Sequence, residues 1–340
     1  MRQTAARLAP PIAALAIAFA LAAPGCLPSA PLIRQAASMN SRGAAQLAAG
    51  DLEGAEASFR VALEYNDRYT EPHSNLGLVA MRRGHYREAR RHFRAALDRN
   101  RDFAAAWTNL GVALSTREDA TDTEATPANA MRAFREALAV DPGVMEARVN
   151  LTRLLLATGN HAEALEQARR LNQLFERDVI ALTLQAEAAL GMRSMQEAAD
   201  SIAAARAIAP RDIDVRMVGA RIDMVLGATG AARRVLRELL AEPSVRADAH
   251  ALLAAIALAE GDVAGARREI AAGGREMNES ATARAVTAQI QVSRREKRGC
   301  AGALPPVASR ADSVRRRADN GSVHPPLRVS PEAGDSGTNG

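Results

Sequence analysis

Three asparagines, Asn75, Asn109 and Asn150, each stand directly before a leucine, and they are separated by 34 and then 41 residues. An amide side chain carries both a donor and an acceptor. A row of amides at a fixed step can hold the main chain of an extended peptide without reading its side chains. It can equally tie neighbouring turns of the fold together, and the spacing is compatible with both roles. Arg153 and Arg221 fall at matching places beyond that row, and their guanidinium groups can pair with acidic side chains of a ligand. Catalytic chemistry finds no such support. The six histidines are scattered, and the one close pair, His85 and His92, has no cysteine or carboxylate at zinc-ligand spacing. The single lysine, Lys297, lies outside any glycine-rich phosphate loop. No Gly-x-Ser-x-Gly elbow occurs. The sequence therefore predicts a binding protein, with no catalytic residue, metal, cofactor or small-molecule substrate.

The elements that must position these residues repeat with the same step. Ala55, Ala89, Ala130, Ala164, Ala198, Ala232 and Ala266 are spaced by 34, 41, 34, 34, 34 and 34 residues. A column of mostly small residues moves in parallel: Gly43, Gly77, Gly111, Thr152, Ala186, Ala220 and Ala254. Glycines at 50, 84, 159, 227 and 261 mark a turn in five of the seven units. The stretch Gly77–Ala96 shows the unit: two short helices with a turn at Gly84. Ala89, Phe93 and Ala96 share one face of the second helix, since residues three and four apart lie together. A pair this short cannot bury that face alone, so copies must stack. Aromatics make up 3% of the residues and no alternating β-branched pattern occurs, which predicts an all-α chain.

The residues of the unit resemble the tetratricopeptide repeat (TPR). Trp107-Thr-Asn-Leu-Gly111 looks like its opening motif. Ala55…Phe59…Ala62, Ala89…Phe93…Ala96 and Ala130…Phe134…Ala137 look like its second-helix motif, and Asp141-Pro142 and Ala209-Pro210 like its closing turn. The resemblance spans repeats at 36–69, 70–103, 104–144, 145–178, 179–212, 213–246 and 247–280. It weakens where Ala168 and Ile202 replace the aromatic. It implies a right-handed α-solenoid of about seven repeats whose first helices line a concave groove, with Asn75, Asn109 and Asn150 facing the backbone of a bound peptide. Ser74, Leu78, Met81, Thr108, Val112 and Ser115 would be their neighbours, and Trp107 and Tyr86 would pack between helices. The lysine and arginine set with which some members clamp a terminal carboxylate is absent.

The flanks differ from the repeats. Residues 1–26 combine Arg2 and Arg7, an apolar run from Ile12 to Ala23, and Leu21-Ala-Ala-Pro-Gly-Cys26. This resembles a bacterial lipoprotein signal ending at a lipidated Cys26, although Ala23 and Pro24 depart from that pattern. Cleavage after Ala22 and an uncleaved anchor are the alternatives. All three predict export, to the periplasm or to an outer-membrane-anchored lipoprotein. Residues 27–35 read as a linker. The acidic segment 115–129 holds the seven extra residues of the third repeat and reads as a solvated loop. Residues 281–298 read as a capping helix and 299–340 as a disordered tail. A formal net charge of +5 and a pI near 9.9 come almost wholly from arginine interleaved with glutamate, the pattern of a solvated face. A scaffold for protein or peptide partners at the cell envelope is thus expected. A narrower alternative is an assembly lipoprotein for an envelope machine such as a type IV pilus. An RNA-reading helical repeat is a rival that the export signal and interleaved charges oppose; no nucleic acid is expected.

Overall fold

The computed structural model describes residues 30–274 together with 283–285 and 287–289. Its α-helices run in seven pairs: α1 (Ala30–Ala48) with α2 (Leu52–Tyr65), α3 (Thr70–Arg82) with α4 (Tyr86–Arg99), α5 (Ala104–Ser115) with α6 (Pro127–Val140), α7 (Met145–Ala157) with α8 (His161–Leu174), α9 (Val179–Gly191) with α10 (Met195–Ile208), α11 (Ile213–Val225) with α12 (Thr229–Leu239), and α13 (Arg246–Ala259) with α14 (Val263–Ala272). The described residues contain no strand. Each helix packs on its partner and on the first helix of the next pair, so the stack is continuous. The all-α solenoid expected from the period is the observed fold.

Local chemistry sets the turns. Gly50, Gly84, Gly159, Gly227 and Gly261 take φ of 77° to 84°, the left-handed conformation that a glycine adopts at no steric cost. The chain then reverses within two residues: the Gly84 N–H donates to Met81 O at 3.0 Å and the His85 N–H to Ala80 O at 2.9 Å. Five second or first helices open on a capping oxygen. Asp51, Thr126, Asp178, Asp212 and Asp262 each accept from the backbone N–H three residues on.

The core of each pair joins the small-residue column to the aromatic column. A Cβ on Gly43, Gly77 or Gly111 would come within 2.6, 2.5 and 2.5 Å of Phe59, Phe93 and Phe134. Those phenylalanines are almost fully buried. In the later pairs both columns change together. Thr152 stands at the step of Ala168, and Ala186, Ala220 and Ala254 at those of Ile202, Leu236 and Ile270. Where the second-helix residue loses its ring, the first-helix residue gains a Cβ, which keeps the volume filled. The fading resemblance is therefore compensated substitution rather than loss of packing.

Three expectations change. Residues 30–35, read as linker, form the start of α1; Pro31 is tolerated there because first-turn N–H groups have no intrahelical partner. The 115–129 segment is exposed over most of its length, as a solvated loop is, but it is also anchored. It folds back on α4, and Asp122 is 2% exposed. Arg90, 1% exposed, donates to Asp122 Oδ1 at 2.7 Å, to Ala113 O at 3.0 Å and to Glu124 Oε2 at 3.2 Å. Arg87 grips Asp119 through two N–H groups, at 2.8 and 3.1 Å, and Arg94 binds Glu124. The segment reads as loop because its composition is polar and acidic. What that reading omits is the arginine-rich face of α4, which neutralises it. Thirdly, α6 begins at Pro127, inside the expected loop. Of the helix expected over 281–298, only 283–285 and 287–289 are described; both are helical, and Ala283 packs against Ala251. Cys26, the 1–26 signal and the 299–340 tail lie outside the described residues.

Burial raises the Asp122 pKa, but the Glu118 N–H, the Arg90 guanidinium and the Ala125 N–H outweigh it, and the carboxyl sits below its ordinary 3.8. A lowered carboxylate pKa adds stability that is present above the ordinary value and lost as pH falls through the folded one. Hydrogen exchange of residues 115–126, corrected for intrinsic rates, is expected to show unchanged protection from neutral pH down to about pH 4 and release below it. Asp122→Asn should release the segment already at neutral pH.

Candidate binding groove

The first helices of successive pairs, α1, α3, α5, α7, α9, α11 and α13, touch one another along the whole stack and form its inner row. Side chains repeating at the step of the pair line that row. The asparagine column continues past Asn75, Asn109 and Asn150 as Leu184, Val218 and Leu252, all three buried. The column three residues further on reads Leu78, Val112, Arg153, Glu187, Arg221 and Ala255. The row is thus amide and aliphatic at its start and charged from α7 to α11.

The three asparagines are half-buried and not equivalent. Asn75 donates through Nδ2 to Asn40 Oδ1 at 2.9 Å, across the seam between α1 and α3. Asn109 and Asn150 make no side-chain hydrogen bond to the described residues. None of the three borders the two cavities that open on this row. Their neighbours at the start of the row are packed away. Ser74 and Thr108 are buried, and Leu78, Met81 and Val112 lean on the core. Thr108 and Ser115 return their hydroxyls to carbonyls four residues back. Trp107 packs on the core as expected and donates Nε1 to Arg101 O at 2.9 Å.

Open space lies in the later pairs. A cavity of 800 Å³ is bordered by Arg153, Leu156 and Ala157 of α7, Leu190 and Gly191 of α9, and Arg221 and Val225 of α11, with His161, Arg193 and Met195 at its turn side. A second, smaller one shares Arg153, Glu187 and Arg221 and runs toward the N-terminal ends of the same helices, past Ile180, Thr183, Asp214 and Met217. The two sequence-predicted arginines therefore do meet at one place. They are not alike. Arg221 binds Glu187 through Nη1. Arg153 is exposed and has no carboxylate partner among the described residues.

Glu187, Arg193 and His161 were missed by residue-type reasoning, yet a signal existed for two of them. Glu187 sits one step of 34 after Arg153 and one before Arg221. Arg193 occupies the turn-glycine column midway between Gly159 and Gly227, and it takes φ of 59°. A residue with a Cβ in that conformation costs about 1 kcal/mol. Only the structure shows that the His161 ring packs on Gly191 with its Nδ1 buried and unpaired.

Charge on the outer, second helices is used internally. Arg60, Arg94, Arg135 and Arg169 recur at the step, and Arg135 and Arg169 reach the next second helix at Glu163 and Glu197, with closest contacts of 2.8 and 2.6 Å. The Arg169 guanidinium bonded to Glu197 holds that carboxyl below its ordinary range. These pairs are largely exposed and individually weak, and they tie successive outer helices together. Among the described residues no group of three or more metal-ligating side chains gathers, and no helix is long and apolar enough to cross a membrane.

Residues 74–122 and 124–188 each match the tetratricopeptide repeat family. No curated protein sequence matches the chain. Among solved structures, the chain is similar to a tetratricopeptide repeat protein from Parabacteroides merdae, with 17% identity, TM-score 0.58, and 76% of this chain and 99% of that one covered. It is also similar to PilF of Pseudomonas aeruginosa, with 18% identity, TM-score 0.53, and 63% and 94% covered. PilW, a type IV pilus biogenesis factor, shares 20% identity at TM-score 0.51, over 61% and 93% of the two chains. At these identities the likeness is one of fold. Residues 74–188 thus carry tetratricopeptide repeats, and the helix pairs on either side continue the same stack with the same turn glycines.

Proposed function

We propose that the protein is a non-catalytic scaffold that binds an extended segment of a partner protein along its inner row of helices. The observation that carries this reading is the open cavity between α7, α9 and α11, where Arg153 is uncommitted beside Leu156, Leu190 and Val225. A charged group next to exposed apolar surface, in a concave place, is what a peptide side chain needs for affinity and for orientation. Asn109 and Asn150, with no side-chain hydrogen bond to the described residues, can serve the peptide main chain next to it. Photo-crosslinking tests it: a photoreactive residue at Ile180, 42% exposed beside the second cavity, is expected to capture a partner that the same residue at Leu174, 51% exposed on an outer helix, does not. Equal capture at both positions, or at neither, would remove the groove from consideration.

The same proposal places the scaffold at a bacterial envelope, tethered through Cys26. It rests on the signal-like sequence of residues 1–26. Cys26→Ser is expected to abolish incorporation of a labelled fatty acid and to move the protein from the membrane to the soluble fraction. Unchanged labelling would end the lipoprotein reading and leave cleavage after Ala22 or an uncleaved anchor. Assembly of a pilus-like machine is the narrower form of this role. It draws on the layout of signal and repeats together, which PilW's description as a biogenesis factor makes worth testing.

A further inference from the structure

The cavity between α7, α9 and α11 carries more than a generic groove needs. Three arginines, Arg153, Arg193 and Arg221, border it against one carboxylate, Glu187, and that carboxylate is already bonded to Arg221. Arg153 and Arg193 have no carboxylate partner among the described residues. Between them lie Leu156, Leu190 and Val225, the last of these 57% exposed. Several arginines elsewhere are paired, Arg87, Arg90 and Arg94 of α4 with the 116–126 segment, and Arg135 of α6 and Arg169 of α8 with the next outer helix. At this cavity Arg153 and Arg193 stand beside exposed aliphatic surface without such a partner.

Arg193 adds an independent observation. The turn glycine column is Gly159, Arg193, Gly227 over three successive pairs, and all three residues make the same turn. The Arg193 N–H donates to Leu190 O at 3.0 Å and the Ser194 N–H to Ala189 O at 2.9 Å, as at the glycine turns. Nothing in the fold requires a side chain at that place, and the left-handed backbone disfavours one. The side chain borders the cavity. Arg177 takes the same backbone, φ 60°, outside the lining of this cavity, so what singles out Arg193 is that backbone in a glycine column together with its place on the rim.

We propose that this cavity is the anchoring pocket of the groove and that it takes an acidic residue adjoining an aliphatic one in an extended segment of a partner protein. The carboxylate pairs with Arg153 and Arg193, which hold it from two sides. The aliphatic side chain lies on Leu156, Leu190 and Val225. This rests on the groove reading above and adds the chemistry of the occupant. The net positive rim opposes a basic segment, and the apolar floor leaves a free inorganic anion with half of the surface unused.

The test is selection of a random-peptide library on the full chain, followed by affinity measurement of the winning peptides on variants. The expected result is enrichment of Asp or Glu beside Leu, Ile or Val. Arg153→Gln is expected to weaken the winners about tenfold or more, as loss of a charge-assisted hydrogen bond does. Arg193→Gly gives the decisive contrast, because it should raise the melting temperature while weakening the same peptides. A merely structural arginine would not move those two readouts in opposite directions. Enriched peptides without an acid, or affinities indifferent to both substitutions but sensitive to Asn109→Ala and Asn150→Ala, would overturn the pocket and keep the groove. Winners that ignore all four substitutions would overturn both.

Discussion

Phe93→Ala is expected to destabilise the protein by about 3–5 kcal/mol in denaturant unfolding, because a fully buried ring leaves a cavity that two packed helices cannot close. The same contact makes the reverse prediction at Gly77. Gly77→Ala brings a Cβ to 2.5 Å from the ring of Phe93, which is fully buried. It should cost about 1–3 kcal/mol by overpacking. The informative experiment combines the Gly77→Ala change with Phe93→Ile, copying the arrangement that the protein already uses at Ala186 and Ile202. That double variant is expected to be more stable than the sum of its parts allows, with a coupling of about 1 kcal/mol or more. Strict additivity would mean that the two columns do not read each other's volume. Because repeats unfold in neighbouring groups, hydrogen exchange of α3 and α4 should accompany the bulk measurement.

Arg90→Met should be nearly as damaging, at about 3–5 kcal/mol, for a different reason. The methionine fills similar volume, so no large cavity forms. What changes is that Asp122 loses its buried countercharge and Ala113 O loses its donor. Breaking one partner of a buried pair leaves a charge with no water to solvate it, which is far worse than removing both. Asp122→Leu on the Arg90→Met background is therefore expected to recover much of the loss. If the single Arg90→Met variant unfolds at the same denaturant concentration as the parent, the clasp between α4 and the inserted segment does not contribute to stability.

These two sites mark how far the sequence could be read. The Gly77–Phe93 contact was legible because both residues belong to columns that recur at the step of the repeat, and a period is a statement about three-dimensional neighbours. The fold followed from it, as did the meeting of Arg153 and Arg221. The clasp was not legible, because Asp122 lies in the one segment that breaks the period, and nothing in its local composition names the arginines of α4 as partners. The asparagine row shows a third case. Its spacing placed Asn75, Asn109 and Asn150 on the inner helices, but the angle around each helix decides whether a residue faces a cavity or a seam. Asn75 faces the seam, bonded to Asn40, and the neighbouring column at Arg153, Glu187 and Arg221 faces the open space. An offset of three residues along a helix separates the two, and it cannot be fixed without knowing how the pairs are stacked. Arg193 could have been found from its place among the turn glycines, since an arginine in a glycine column is an exception that backbone chemistry disfavours.

The inserted segment has one consequence for anything that lies along the inner helices. Its extra residues fall between α5 and α6, inside a pair, and they are folded outward against α4. The inner row therefore loses no beat: α5 meets α7 as α3 meets α5, although the numbering jumps by 41 instead of 34. A ligand measures distance in helix diameters rather than in residues. Along that row the order of the first helices is kept from α1 to α13, and the chain lengthens one of its hairpins without breaking the contact of α5 with its neighbours on either side.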